Sequence, residues 1–175
     1  SSGDPGPGVN IIGEKNLESG AEEHFNEVSR LLSILGLAPN VRFVRNIESG
    51  AIARMGSACI NLLREPSLVS VGEALGTCLG IPAVDGFPTG LTGTLRFLED
   101  VGNASDRDWS AAYADEEVRQ KNLIHEFSDL SGTRVRFVTG TCPDLEDLLD
   151  QLGMIRDDTG IILPVPFPFP VGTAG

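Results

Sequence analysis

Side chains able to do chemistry are few and scattered in this sequence. The histidines are His24 and His125, and the cysteines are Cys59, Cys78 and Cys142. His24 stands three residues before Glu27, a helical spacing that can hold a metal, but a di-metal bundle needs two such pairs and further carboxylates. His24 and His125, the latter beside Glu126, therefore read as solvated residues on polar helix faces. The cysteines are odd in number, far apart and without a CxxC pair, as in reduced thiols of a cytoplasmic protein rather than a disulfide framework. Cys59 falls in an apolar strand and Cys78 on a helix; neither has a neighbouring base or cation to make a thiolate, and buried cysteine is common. Cys142, in TGTCPD, precedes a helix N-terminus whose dipole lowers a thiol pKa, although a neutral residue in the cap region is the plainer reading.

Familiar catalytic strings are missing. There is no GxSxG elbow and no GxxxxGK[ST] loop. A dinucleotide fingerprint would need GxGxxG between a strand and a helix, yet after the first apolar run only Gly13 and, seven positions on, Gly20 occur. A serine hydrolase, a P-loop enzyme and a dinucleotide enzyme of the usual pattern are thereby disfavoured.

The elements that would position any site are clearer. The chain has 175 residues, enough for one domain or one domain and part of a second. It is 41% hydrophobic and 22% charged, with no apolar run near the roughly 18 residues of a membrane span. A formal charge of −12 disfavours nucleic acid, whose phosphates require a Lys/Arg surface. The chain opens on Ser1-Ser2-Gly3, with no Met, charged leader or signal region, and closes on PVPFPFPVGTAG, so both ends read as cut or processed.

Residues 1–8 form a flexible lead rich in turn-formers, and VNIIG (residues 9–13) reads as a buried strand. Ala21, Phe25, Val28, Leu31, Leu32 and Leu35 then recur at the spacing of one helix face, and Gly36 ends that helix. A turn at Pro39-Asn40 leads to a second strand at residues 41–44, followed by a short helix over 47–55. ACINLL (58–63) is a third strand, 68–79 a third helix stopped by Gly80, and IPAVD (81–85) a fourth strand. A helix over 91–101, a polar loop over 102–108 and one long helix over 109–130 come next. The apolar face of that long helix would be Trp109, Tyr113, Val118, Leu123, Ile124 and Phe127. Residues 133–140 read as a strand, 143–153 as a helix with Pro at its first turn and acidic residues near its start, and 161–165 as the beginning of one more strand. The βα alternation implies an α/β fold of three layers, an open parallel sheet with helices on both faces. GEALG (72–76) is a small-residue patch suited to close packing on that sheet.

Ligands of open parallel sheets bind beyond the carboxyl ends of the strands. That rule nominates the loops holding Glu14, Lys15 and Asn16, then Arg45 and Asn46, then Arg64 and Glu65, and finally Gly86, Pro88, Thr89 and Gly90. From these, Glu14, Asn16, Arg64, Glu65, Pro88, Thr89 and Gly90 form the candidate binding set, against the bland alternative that each is an ordinary loop residue. No catalytic residue and no metal ligand can be named.

The ordered strings VNIIG, RLLSILGL (30–37), ACINLL, LGIP (79–82) and FPTGLTGTLRFLEDVG (87–102) together resemble the nitrogenase component 1 family. That family includes the nitrogenase α and β subunits, cofactor-assembly scaffolds and dark-operative protochlorophyllide reductases. Pro88, Gly90, Thr94, Phe97 and Leu98 match a P-x-G-x-x-x-T-x-x-F-L stretch typical of β-type subunits. The resemblance covers residues 9–138. It implies Rossmann-like domains, of which 9–101 is the middle one, 102–132 a linker and long connecting helix, and 133–175 the start of a further βα unit with a Pro-rich tail.

The resemblance further implies a subunit that takes electrons from an ATP-dependent iron-sulfur reductase and passes them to a substrate or bound metallocofactor. An iron-sulfur cluster or metallocofactor would belong to the full-length complex and none to this piece, which alone would not be catalytic. Family cluster cysteines lie mainly in a first domain absent here, and LREPS (63–67), where the α subunit has a cysteine, has none. Implied partners are sister domains and subunits and the reductase, with a homo-oligomer possible in principle and neither nucleic acid nor membrane involved. Two other readings stand beside this one: a tetrapyrrole- or small-molecule-binding module or assembly scaffold, and an interaction domain that pairs two copies through an apolar surface.

Overall fold

In the computed structural model, which describes residues 7–14, 20–43, 49–137 and 143–157, the core is a four-stranded parallel sheet. Its strands are β1 (Gly8–Ile12), β2 (Ala38–Phe43), β3 (Ala58–Leu63) and β4 (Ala83–Asp85), in the order β2-β1-β3-β4. Between them run α1 (Ala21–Ile34), α2 (Ser49–Arg54) with a 3-10 turn, and α3 (Val69–Leu79). After β4 come α4 (Gly90–Ala104) and α5 (Ser110–Glu126). A second, two-stranded parallel sheet follows, β5 (Arg134–Val135) and β6 (Ile155–Arg156), crossed over by α6 (Pro143–Gln151).

Alternation along the strands divides the core. Val9, Ile11, Ile60, Leu62 and Val84 face α1 and α4, meeting Val28, Leu31, Leu32, Phe97, Leu98 and Val101. On the other face Ile12, Val41 and Leu63 meet Ala51, Met55 and Leu75 of the α2 and α3 layer. Both faces of the sheet are thus covered, giving the expected three layers. The chain leaves β1 toward β2 on one side and continues through β3 to β4 on the other, so winding reverses between β1 and β3. The crevice above that reversal is where this architecture receives ligands.

Polar side chains in the middle of the sheet set the register. Asn10 and Asn61 are fully buried and paired across β1 and β3. Asn10 Nδ2 donates to Asn61 Oδ1 and to the Met55 carbonyl, both at 2.9 Å. Asn40, at a register shift between β1 and β2, donates to Asn10 Oδ1 at 3.0 Å and to the Arg54 carbonyl at 2.8 Å, and Asn61 donates to the Ile81 carbonyl at 3.3 Å. A one-residue slip would bury these amides without partners, so the ladder selects one pairing.

Several boundaries differ from those the sequence suggests. Pro39 and Asn40 lie inside β2, not in a turn; β2 is an edge strand, where a residue without an N–H is tolerated. The fourth strand is shorter, without Ile81 and Pro82, and α4 continues through Gly102 to Ala104. Gly102 is needed there because a Cβ would stand 2.5 Å from Trp109 Cδ1. The long helix ends at Glu126, before a 3-10 turn at Ser128–Leu130. Its expected apolar face is also wrong in part: Val118 is 60% and Phe127 51% exposed, and the residue α5 buries is Glu116.

Glu116 explains how so polar a helix docks. Its Oε1 accepts from Arg30 Nη2 and Arg119 Nη1, each at 2.9 Å, and from Gln120 Nε2 at 2.7 Å. Glu27 joins from α1, taking two bonds from Arg30 at 2.8 and 2.6 Å. Those bonds hold the Glu27 carboxyl below its ordinary pKa and push Arg30 above the usual guanidinium range. Gly72 fulfils the close-packing expectation, since a Cβ there would meet Leu63 Cδ1 at 2.7 Å and Ala83 Cβ at 3.0 Å. Cys78, by contrast, is exposed rather than buried. Among the described residues, no helix is long and apolar enough to cross a membrane. Val44, the end of the 133–140 strand, Cys142 and residues 161–165 lie outside the described residues.

Two measurements check this account. Asn10→Ala orphans the buried Asn61 Oδ1 and Met55 carbonyl and should lower unfolding free energy by about 3 kcal/mol, read as a lower urea midpoint at unchanged slope. Because the folded pKa of Glu27 lies below 4.5, its contribution is present above that pH and is lost as pH falls through the depressed value. The stability gap between the native chain and Glu27→Gln should therefore shrink between about pH 6 and about pH 3.

Candidate functional site

The carboxyl edge of the sheet is stitched by backbone bonds that carry the strand pairing into the loops. Arg64 N donates to the Ile12 carbonyl at 2.9 Å, Gly86 N to that of Leu63 at 2.8 Å and Phe87 N to that of Arg64 at 3.2 Å. Gly13 turns the chain away from β1 at φ 94°, a left-handed conformation that disfavours any side chain, and a Cβ there would also run into Leu68 Cδ1. The loops after β1, β3 and β4 are consequently held together at the winding reversal.

Of the candidate binding set, Glu14 has another task. It is buried and takes a two-pronged bond from Arg42, Nε to Oε2 at 2.6 Å and Nη2 to Oε1 at 3.0 Å. Arg42 stacks 3.6 Å from the centre of the Phe25 ring and also reaches Glu22. Its hydrogen bonding to Glu14, more than any other contact, holds the guanidinium above its ordinary pKa. This pair clamps β1, β2 and α1 at the carboxyl edge; Glu14 offers no free carboxylate to a ligand.

Arg64 lies across the crevice. Its Nη2 is 3.4 Å from His24 Nδ1 on α1, and its guanidinium carbon is 5.0 Å from the centre of the Phe87 ring. His24 is thus exposed but in contact with an arginine, not simply solvated on a polar face. An arginine only donates, so in this contact Nδ1 is the acceptor. Beside Arg64 opens a cleft of about 500 Å³, walled by Phe87 and Phe97 and carrying Arg64, Arg96, Asp85 and Asp100, with Thr89 and Gly86 at its rim.

The structure brings Arg64 and Thr89 together at this cleft. Glu65 follows Arg64 and accepts the Leu68 N–H through its carbonyl at 3.0 Å. Pro88 and Gly90 flank Thr89, while Lys15, Asn16, Arg45 and Asn46 lie outside the described residues. Residues not anticipated are Asp85, Phe87, Arg96, Phe97 and Asp100. Their signal was present, because Gly93, Arg96, Phe97 and Asp100 recur at i, i+3, i+4 and i+7, one face of α4.

Gln151 was also missed. Its Oε1 accepts the Leu91 N–H at 3.1 Å, and its Nε2 donates to Thr92 Oγ1 at 3.1 Å and to Asp147 Oδ2 at 2.6 Å. A side chain from α6 thereby closes the first turn of α4, which Thr89 leaves without a side-chain cap. Within that turn Thr94 Oγ1 donates to the Gly90 carbonyl at 2.6 Å, and Phe97 and Leu98 are buried. Gly90, Thr94, Phe97 and Leu98, from the string that resembles β-type subunits, are here mainly the start and core face of one helix.

The donor set of the described residues does not fit an iron-sulfur cluster. Among the described residues no three His, Cys, Asp or Glu side chains converge as metal ligands. Cys59, at the amino end of β3, donates to the Gly8 carbonyl at 3.4 Å, and burial pushes its thiol pKa up. Cys78 is near the end of α3, so both thiols lie at the edge of the sheet opposite the cleft.

Glu14→Gln should cost about 3 kcal/mol by leaving Arg42 poorly compensated at a largely buried site, and the pair Glu14→Leu with Arg42→Met should recover much of it. Chemical denaturation of the three variants checks both halves of that expectation.

Comparison with known proteins places this geometry. Residues 1–155 match the family model described as nitrogenase component 1 type oxidoreductase. The B subunit of the light-independent protochlorophyllide reductase of Halorhodospira halophila is 31% identical over 114 residues, 65% of this chain and 22% of that protein. Its counterpart from Methylobacterium radiotolerans is 31% identical over 103 residues, 58% of this chain and 19% of that protein. The chain therefore spans about a fifth of the length of these relatives. A solved structure titled nitrogenase Cp1 at pH 5 superposes with a TM-score of 0.65 at 20% identity, covering 85% of this chain and 31% of that one, which speaks for the fold alone. With the family match covering residues 1–155 of 175, the chain belongs to the nitrogenase component 1 type oxidoreductases.

Proposed function

We propose that this chain is an internal portion of a β-type subunit in a cytoplasmic, nitrogenase-like oxidoreductase. In this reading residues 9–101 are the middle Rossmann-like unit, 102–132 the connecting segment and 133–175 the opening of the next unit. The complete subunit accepts electrons from an ATP-dependent iron-sulfur reductase and delivers them to a substrate or bound metallocofactor. The observation that carries the proposal is the family match over residues 1–155. That both relatives are B subunits of a protochlorophyllide reductase supports the β-type assignment.

The role of the described residues in that reading is architectural. The Glu14–Arg42 clamp and the asparagine ladder hold the carboxyl edge rigid, and Arg64 with the α4 face shapes a wall that other units complete. The iron-sulfur cluster or metallocofactor would supply the electron transfer, and its ligands would come from the rest of the subunit or its partners. This chain alone is not catalytic.

The cleft favours a second reading, a module that binds a tetrapyrrole or other small molecule or scaffolds cofactor assembly. Phe87 offers a flat apolar wall, and Arg64 and Arg96 line the same cleft with guanidinium groups suited to carboxylates.

Iron quantitation and a visible spectrum of the purified chain should show no stoichiometric cluster; a bound cluster would overturn the non-catalytic assignment. A chimera carrying this chain in place of the matching stretch of the Halorhodospira halophila protein tests the larger claim. Assembled with its partner subunit, it should oxidise the reduced iron-sulfur reductase only when MgATP is present. Assembly without any such oxidation would refute the electron-transfer role. Melting-temperature screens with tetrapyrroles decide the second reading, which requires a shift that Arg64→Ala abolishes.

A further inference from the structure

α5, a helix of 17 residues, is fastened to the rest of the molecule mainly around its start. Trp109 and Ala112 pack against the core, and the Trp109 ring lies so close to Gly102 that a Cβ there would collide with it. Trp109 Nε1 donates to Asn103 Oδ1 at 2.9 Å, and the Tyr113 ring sits 5.5 Å from that of Trp109. Further along, the one residue that α5 buries is Glu116. From 117 to 127 no side chain is buried: Leu123 and Ile124 are half-buried, and Val118 and Phe127 are exposed.

Glu116 is thus the point at which the middle of α5 is held to α1. Arg30 Nη2 crosses to Glu116 Oε1 at 2.9 Å, and Arg119 Nη1 reaches back to Glu27 Oε1 at a long 3.5 Å. The other bonds of Glu116, from Arg119 and Gln120, stay within α5. Packing beside the cluster is loose, for a groove of about 340 Å³ separates the two helices there, with Ile34 exposed in its wall. Taking ions out of water costs about as much as their attraction returns. Such a cluster fixes where a helix docks without adding much to how firmly it docks.

We propose that α5 is a strap, hinged at Trp109 and closed by the Glu116 cluster, which opens from the first sheet and its helices while that sheet stays folded. Opening breaks the Arg30–Glu116 and Arg119–Glu27 contacts and frees the turn at Ser128–Leu130 that links α5 to β5. The second sheet keeps its own attachment, Gln151 of α6 on the first turn of α4. The two sheets thereby gain a joint without either one unfolding. Segments that open in this way have few buried apolar contacts, and α5 beyond Tyr113 is such a segment. Within the helix Lys121 pairs with Glu117 at 2.8 Å, yet a helix of this length is marginal in water once released, so its amides exchange when the strap is open.

Native-state hydrogen exchange of the 175-residue chain, read peptide by peptide in low urea, tests the strap. Relative to their intrinsic rates, the amides of residues 117–126 should exchange at least about 100-fold faster than those of β1 and β3. Their urea dependence should be shallower, because a local opening exposes less surface than global unfolding. Ile60→Val, in the core that stays folded when the strap opens, should speed the β1 and β3 amides about fivefold and leave α5 unchanged. Glu116→Gln removes the closing charge and should speed α5 exchange at least about tenfold. Arg119→Met, at an exposed position, gives the same readout in smaller degree if that variant folds poorly.

A single exchange free energy and a single urea slope for α5 and the strands would overturn the proposal. So would α5 amides that respond to Ile60→Val as strongly as the strands do, since α5 would then open only when the core unfolds. Fast α5 exchange that neither Glu116→Gln nor Arg119→Met alters would overturn the closing role of the cluster.

Discussion

Three asparagine amides in the middle of an otherwise apolar sheet constrain most of what surrounds them. Asn40, Asn10 and Asn61 bridge three strands, and they reach the carbonyls that end α2 and lead into β4. Each is costly to bury alone and inexpensive when its partners are in place. Apolar side chains on these short strands would accept neighbouring registers almost equally well; the amides accept one. The position of the loops at the carboxyl edge follows from that register, because each loop leaves its strand at a fixed height.

The carboxyl edge itself divides into a locked half and an open half. Toward β2, Glu14 and Arg42 neutralise each other beside the Phe25 ring, so neither of these two groups is left over for a ligand. Toward β4, two arginines and two aspartates line the cleft beside the Phe87 ring. Arg64 lies on the boundary, tied by its backbone to β1 and β4 and by its side chain to α1 and Phe87. A residue held from so many sides moves little, which suits a wall that other units must match.

Much of this was legible before any coordinates. β3 spans the residues that its apolar run suggests, α1 and α3 stop at Gly36 and Gly80 as expected, and the parallel three-layer arrangement follows from the βα rhythm. Periodicity failed where a polar group did the packing: nothing in the spacing of α5 says that Glu116 points inward, since its partner Arg30 is far away in sequence. The candidate site was legible only as a set of loops. Glu14 has the look of a binding residue until Arg42 is brought beside it, and Gln151 becomes relevant only once α6 is seen against α4. Arg96 and Asp100 could have been found, had the α4 face been read for charge as well as for its apolar stripe.

Pro39 in the outermost strand carries a consequence of a different kind. A parallel sheet can keep recruiting strands at an open edge, from its own chain or from another molecule, and such growth is the usual beginning of aggregation. Pro39 has no amide hydrogen to offer an incoming strand, and the register shift beside it breaks the regular spacing that a new strand would need. Among the described residues, covalent structure thus helps to finish the sheet on that side. On that side, extension of the assembly is left to helix faces, where contacts can be made selective by shape.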